Sequence, residues 1–432
     1  LKKVLIYSGL LVLGLVLSQT LPGALGAGAG LYAHAVKFLT MVGLGFIMIH
    51  VGYEFDVDKS RLRSYGWDAT VATTAAVFPW LLCCLYFVLV VMPAEARANA
   101  GVWKESLVAS LFSAPTSAGV LFSMLAAAGL ATTWVFAKAR ILAIFDDLVT
   151  VLLMVPVKVM MVGARWQLAV VVVMIVAQLV LAYKLLHTLR LRMTWGWTLA
   201  YAALIAAVSE AVHYATGLID AEMPIHIEVL LPAFVLGCVI ARQRADGTPL
   251  GPADSHHDDV LEQPAEKLAT TVVSGAFMVL VGLSMPMFID QIGAAPAGAP
   301  GAQAVADAAG AHSGPQLGHW LRELTPAMGW GPIILHVLAI TLVSNLGKMF
   351  PAFCYRRETT LRQRIALAIG MWPRGEVGAG VLVVSLGYGI GGPIVVIALL
   401  SLALNLCLTG VFIIFIKKIL ASDPTLQPAP AH

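Results

Sequence analysis

Two adjacent carboxylates, Asp146 and Asp147, interrupt an otherwise apolar run from Ile141 to Pro156. An ionised Asp at the centre of a membrane helix costs roughly 2.5–3.5 kcal/mol. Neighbouring positions on a helix point about 100° apart, so one side chain opposite cannot cover both. A structural ion pair with a basic residue on another helix would satisfy one carboxylate. A proton or a metal cation that visits them would account for two. Lys348, in Ser344-Asn-Leu-Gly-Lys-Met-Phe-Pro351, is an equally expensive buried ammonium and the obvious partner. The residues thus suggest that one Asp pairs with Lys348 while the other holds a cation, helped by Thr116, Ser117 and exposed carbonyls. Oxygen ligands without thiolates or paired histidines suit a hard ion such as Na⁺ or Li⁺. Burial penalises a charged carboxylate, so a proton and a metal cation compete for the same oxygens.

These charges need helices that cross a membrane to hold them. The chain of 432 residues is 59% hydrophobic and 12% charged, with a mean hydropathy of +0.86. Soluble domains carry about 25% charged residues, so an all-α, multi-spanning membrane protein is expected and a nucleic-acid partner is not. Apolar runs broken by charge, Gly and Pro give twelve spans, near 3–19, 36–54, 67–92, 104–130, 135–161, 166–189, 194–214, 226–243, 266–289, 331–355, 361–389 and 393–418. Residues 2–18 read as a first membrane helix rather than a signal peptide. Most of the 27 Lys and Arg fall in alternate loops, among them Lys2, Lys3, Lys138, Arg140, Arg190, Arg192, Arg356, Arg357, Lys417 and Lys418. By the positive-inside rule this places both termini in the cytoplasm. Residues 291–318, rich in Ala, Gly and Pro, read as a flexible external connection. The stretch after Lys418 is short, and no nucleotide-binding regulatory domain is expected there.

Two spans are interrupted at their middles, span four by Ser113-Ala-Pro-Thr-Ser-Ala-Gly119 and span eleven by Gly370-Met-Trp-Pro-Arg-Gly-Glu-Val-Gly378. Pro removes a backbone donor, and unwound backbone at bilayer depth is tolerated only in protein or beside water. Each break lies in the middle helix of a three-helix unit, spans 3–5 and spans 10–12, and the two units enter the membrane from opposite sides. That is an inverted-topology repeat, the arrangement of secondary transporters whose site lies at the midplane. The facing half-helix ends need counter-charges. Lys348 and the Arg374/Glu376 pair supply them, as salt-bridge and proton-coupling residues.

Other polar residues have simpler readings. Glu54 and Asp56 lie at the end of span two, where snorkelling suffices, and Glu210 and His213 are given no chemistry. Asn405 is the repeat counterpart of the aspartates, or a structural hydrogen bond. His256-His257 lies in a polar loop that reads as solvated, and the five cysteines read as buried packing residues. The Gly-rich stretch 23–30 follows a membrane helix, not a strand, and is no dinucleotide loop.

Asp146-Asp147, the two breaks, Gly347-Lys348, Pro373-Arg-Gly-Glu-Val-Gly378 and Gly52-Tyr-Glu-Phe-Asp56 together resemble the monovalent cation/proton antiporter superfamily. The similarity is to its bacterial sodium/proton antiporters of the two-aspartate, electrogenic branch, which usually have Leu where this chain has Tyr53. The resemblance implies Na⁺ (or Li⁺) exchanged for H⁺ by an elevator-type step, with no cofactor and no enzymatic activity. It implies Asp147 as the principal cation and proton carboxylate, Asp146 as the partner of Lys348, and Thr116 at the crossing of the broken helices. It further implies a lipid-embedded homodimer in the bacterial inner membrane, serving pH homeostasis. The core would comprise residues 67–161 plus 331–418, and a dimerisation panel residues 1–54 plus part of 194–289.

A potassium/proton antiporter and a sodium-coupled organic-anion symporter remain alternatives. An intramembrane aspartyl protease does not fit, since its carboxylates must face each other across a water from separate helices.

Overall fold

The computed structural model describes residues 2–25, 28–55, 62–163, 166–219, 225, 227, 229–244, 248, 260–285, 320–326 and 328–423. Asp56, the His256-His257 pair and the connection 291–318 lie outside them, as does the side chain of Glu376. The described chain is helical: α1 Lys2–Leu25, α2 Ala29–Tyr53, α3 Leu62–Tyr86, α4 Ala100–Ser110, α5 Ala118–Ala127, α6 Trp134–Val162, α7 Trp166–Lys184, α8 Trp195–Ile219, α9 Leu230–Val239, α10 Pro264–Leu283, α11 Trp320–Leu324, α12 Trp330–Gly347, α13 Leu361–Gly370, α14 Glu376–Gly387 and α15 Pro393–Ala421. Among the described residues, nine helical segments are long and apolar enough to cross a membrane.

The three other expected spans differ for identifiable reasons. Helix α6 is 29 residues long but carries Lys138, Arg140, Asp146, Asp147 and Lys158. Helices α13 and α14 are the halves of broken span eleven. Span 226–243 is shorter than expected: α9 has ten residues, about 15 Å of rise against the roughly 30 Å of a bilayer core. Its end is extended instead, where Leu189 N donates to Val239 O at 2.8 Å and Ala241 N to Leu189 O at 2.7 Å.

Local sequence sets the ends that matter for the site. Thr133 caps α6 by accepting from Phe136 N at 3.2 Å, and Asn99 caps α4 by accepting from Gly101 N at 2.8 Å. Gly163 ends α6 at φ 88°, a conformation open to glycine at little cost.

The chain divides into two compact units, residues 1–30, 63–163 and 281–432, and residues 31–62 and 164–280. The first holds α1 and both broken helices. Gly410 of α15 lies against Ser8 of α1, and Gly282 lies against the α1 backbone at Leu11 and Gly14, so α1 packs within the first unit.

In the second unit α2 and α9 touch backbone to backbone. A Cβ on Gly52 would fall against the Phe234 carbonyl oxygen and 3.0 Å from Cys238 N, and one on Gly237 would lie 2.8 Å from Tyr53 N. Tyr53, buried, accepts the backbone N–H of Gln243 at 2.7 Å, a bond that Leu could not make. Gly237→Ala should therefore lower thermal stability in detergent by about 1–3 kcal/mol, despite a gain in helix propensity of about 1 kcal/mol. An unchanged melting temperature would show that the two helices separate freely.

The five cysteines are free thiols, four of them buried and Cys407 half-buried. Glu210, given no chemistry above, lies 2.9 Å from the Lys37 ammonium. Asn405 donates to the Ser401 carbonyl at 3.1 Å, a local bond within α15.

Candidate functional site

The site assembles where two helices stop and restart. Helix α4 runs into a tight turn at Leu111–Ser113, Pro115 supplies no donor, and α5 begins at Ala118. Helix α13 stops at Gly370 and α14 starts at Glu376. The breaks meet: Ser117 N donates to Pro373 O at 2.9 Å, and the Thr116 hydroxyl donates to Met371 O at 3.0 Å. A Cβ on Gly375 would lie 2.7 Å from Ser117 Oγ, so the crossing closes only around a glycine. All of Ser113, Thr116, Ser117 and Arg374 are buried.

A broken helix exposes carbonyls at one stump and N–H groups at the other, with partial charges to match. Lys348, the C-cap residue of α12, answers the carbonyl end of the first break. Its ammonium donates to Ala114 O at 2.5 Å, Thr116 Oγ1 at 2.8 Å and Asp146 Oδ2 at 2.7 Å. Asp146 answers the N–H end, since the same Oδ2 accepts Thr116 N at 2.7 Å. Arg374 reaches from the second break to Pro115 O at 3.3 Å and to Ser344 O on α12 at 3.1 Å. Both stumps of the first break therefore face a side chain of opposite sign.

The pair is sealed, with Lys348 and Asp146 both fully buried. A lysine ammonium has three donors, and all three are used on Ala114, Thr116 and Asp146. Asp147 follows Asp146 on α6 and is also buried, 4% exposed. Asp146 is tied into the crossing, and Asp147 is a second buried carboxylate directly after it in the chain.

Thr116 was expected among the cation ligands; its hydroxyl is engaged with Lys348 and Met371 and so stitches the crossing. Ser117 sits at the same crossing, held by its backbone. A buried charged cluster that the sequence reading did not single out lies elsewhere on α3 and α6, around Asp68 and Lys138. The only signal for it was an acidic residue near the start of an apolar span.

Comparison with known proteins bears on this geometry. The profile of the sodium/hydrogen exchanger family, transmembrane region, matches residues 3–390. The chain belongs to the sodium/hydrogen exchanger family. Exchangers of this family are transporters of monovalent cations and protons, not enzymes. A solved structure with the same fold is that of the sodium proton antiporter MjNhaP1 from Methanocaldococcus jannaschii, with 14% sequence identity and a TM-score of 0.53. The match covers 94% of this exchanger and 91% of that chain. Among curated proteins, sequence comparison finds no match.

Proposed function

We propose that this exchanger moves Na⁺, or Li⁺, against H⁺, with Asp147 as the carboxylate that cation and proton occupy in turn. The observation that carries the reading is the saturated Lys348 ammonium beside two successive buried carboxylates. One of them has its counter-charge built in. A second buried negative charge directly after the first is costly when ionised, and a charge supplied from solution lowers that cost. A proton or a small hard cation supplies that charge, and each excludes the other from the same oxygens.

Exchange then follows from competition. Cation arrival at Asp147 displaces its proton, and proton arrival displaces the cation. A carboxylate holding neither is the least favourable state in which to cross the barrier, so slippage is suppressed. Electrogenic exchange, in which more than one proton moves per cation, needs a second proton-carrying group beside Asp147, and we assign that role to the Lys348–Asp146 pair, which opens as its proton leaves. An elevator-type step of the unit containing the two breaks, and an inverted repeat relating α3–α6 to α12–α15, complete the proposed mechanism. We place the protein as a homodimer in a bacterial inner membrane, with both termini cytoplasmic and pH homeostasis as its role. Exposed apolar faces on α7 (Val173, Val176, Val180) and α8 (Leu204, Val208, Leu218) support burial against lipid or a second copy.

The test is proton flux in proteoliposomes with Na⁺, Li⁺ and K⁺ added in turn. Flux is expected with Na⁺ and Li⁺ and little with K⁺. A response to K⁺ alone would reassign the cation, and no response to any of the three would defeat the assignment.

A further inference from the structure

The stretches joined by Asp146 and Lys348 are joined a second time, about two turns back along α6, with the signs reversed. Here α6 gives the cation. Lys138 Nζ lies 3.1 Å from Asp68 Oδ1 on α3 and 3.1 Å from Glu358 Oε2, beyond the end of α12. Tyr355 OH donates to the same Asp68 Oδ1 at 2.7 Å, and its ring centroid is 4.5 Å from the Lys138 ammonium. Trp134 closes the group edge-on to Tyr355, with ring centroids 5.8 Å apart. Asp68, Lys138 and Tyr355 are all buried. Tyr355 has φ 54°, a region sparse for a bulky residue that persists where the surroundings over-determine it.

Helix α3 also grips the chain on the other side of Lys348. A Cβ on Gly347 would lie 2.7 Å from Pro79 Cα and 2.8 Å from Pro79 N, and Phe78 packs edge-on to Phe350 with centroids 5.7 Å apart. Lys348 thus sits in a short stretch pinned to α3 at residues 347, 350 and 355. This matters because Lys348 follows the last turn of α12 as its C-cap, where helix regularity no longer fixes a side chain. Three acceptors within 2.8 Å of one ammonium tolerate misplacement of only about 0.5 Å.

We propose that Asp68 is a positioning residue for the Lys348–Asp146 pair, acting through Tyr355 and Lys138 without touching either member. The charged groups around Asp68 are Lys138 from α6 and, beyond it, Glu358; those around Lys348 are Asp146, Asp147 and Arg374. Burial, reinforced by the bond to Asp68, pushes the Tyr355 hydroxyl above the ordinary tyrosine range, so it remains a donor at any working pH. The importance of the pair for transport rests on the function proposed above; its positioning does not.

Two measurements test this on the full-length protein with Asp68→Asn and the milder Tyr355→Phe. The first is the thermal-stability coupling between Asp146→Asn and Lys348→Ala, which should fall by half or more in either background. The second is the pH profile of Na⁺-dependent proton flux, which should move alkaline by about half a unit, with a rise of about threefold in the apparent KM for Na⁺. A loosened Lys348 compensates the carboxylates less well, so protons are held to higher pH and compete better with Na⁺. An undiminished coupling, or a lower yield of folded protein with unchanged pH profile and KM, would overturn the positioning role. If the wild-type protein showed no cation-dependent flux, the proposed function would fall, while the coupling measurement would still decide this inference.

Discussion

Asp147→Asn should abolish cation-driven proton movement while leaving the protein folded. Asparagine has nearly the same shape and fills the same buried position on α6, so the packing around residue 147, 4% exposed in the wild type, is preserved. It cannot exchange a proton near neutral pH, and its single carbonyl oxygen is a poorer ligand for Na⁺ than a carboxylate. Both exchanged ions lose their common site together. The expected result is a flux at the level of empty liposomes with Na⁺ and with Li⁺, and a melting temperature at or slightly above that of the wild type. The slight gain would reflect removal of a buried charge whose desolvation works against folding. Na⁺ should also cease to raise the melting temperature, because a ligand stabilises only the state that binds it. Wild-type exchange by a well-folded Asp147→Asn protein would remove Asp147 from the site.

Much of this arrangement is legible from residue types because membrane burial is strict about charge. Asp146, Asp147, Lys348 and Arg374 stand out against apolar runs, and a counter-charge for each is demanded before any coordinates exist. The breaks at 113–119 and 370–378 are legible for the same reason, since Pro and Gly at mid-span force backbone groups to find other partners. The residue types alone leave open which Asp pairs with Lys348, and only the family resemblance pointed to Asp146. Nothing in the spacing says that the Lys348 ammonium divides itself among Ala114, Thr116 and Asp146. Asp68, Lys138 and Tyr355 were invisible for a different reason. They lie far apart in the chain, near helix ends where charges are common, and only the packing of α3 against α6 and the residues after α12 brings them together. In span 226–243 the apolar length gave no sign that the residues after α9 pair with Leu189 in extended form. The packing of helix α1 through Ser8, Leu11 and Gly14 against Gly410 and Gly282 likewise has no signal in its residue types.

Lys348→Ala should produce the largest stability loss of any single change at the site. It removes the counter-charge of a fully buried carboxylate and leaves the Ala114 carbonyl and the Thr116 hydroxyl short of a donor. Breaking a buried pair from one side costs on the order of 3–5 kcal/mol. Asp146→Asn in the same protein should restore much of the loss at neutral pH, because the amide is uncharged and its oxygen can still accept the Thr116 N–H. Thermal unfolding of the two single mutants and the double mutant gives the coupling directly. Additive losses would mean that the ion pair, though 2.7 Å long, contributes nothing that depends on both partners. Transport separates a second question. If the Lys348 ammonium carries one of the exchanged protons, Lys348→Ala should lose charge movement and retain at most slow electroneutral exchange. If it only compensates Asp146, the less stable mutant should keep the charge movement of the wild type, and the second proton would be carried by a group other than Lys348.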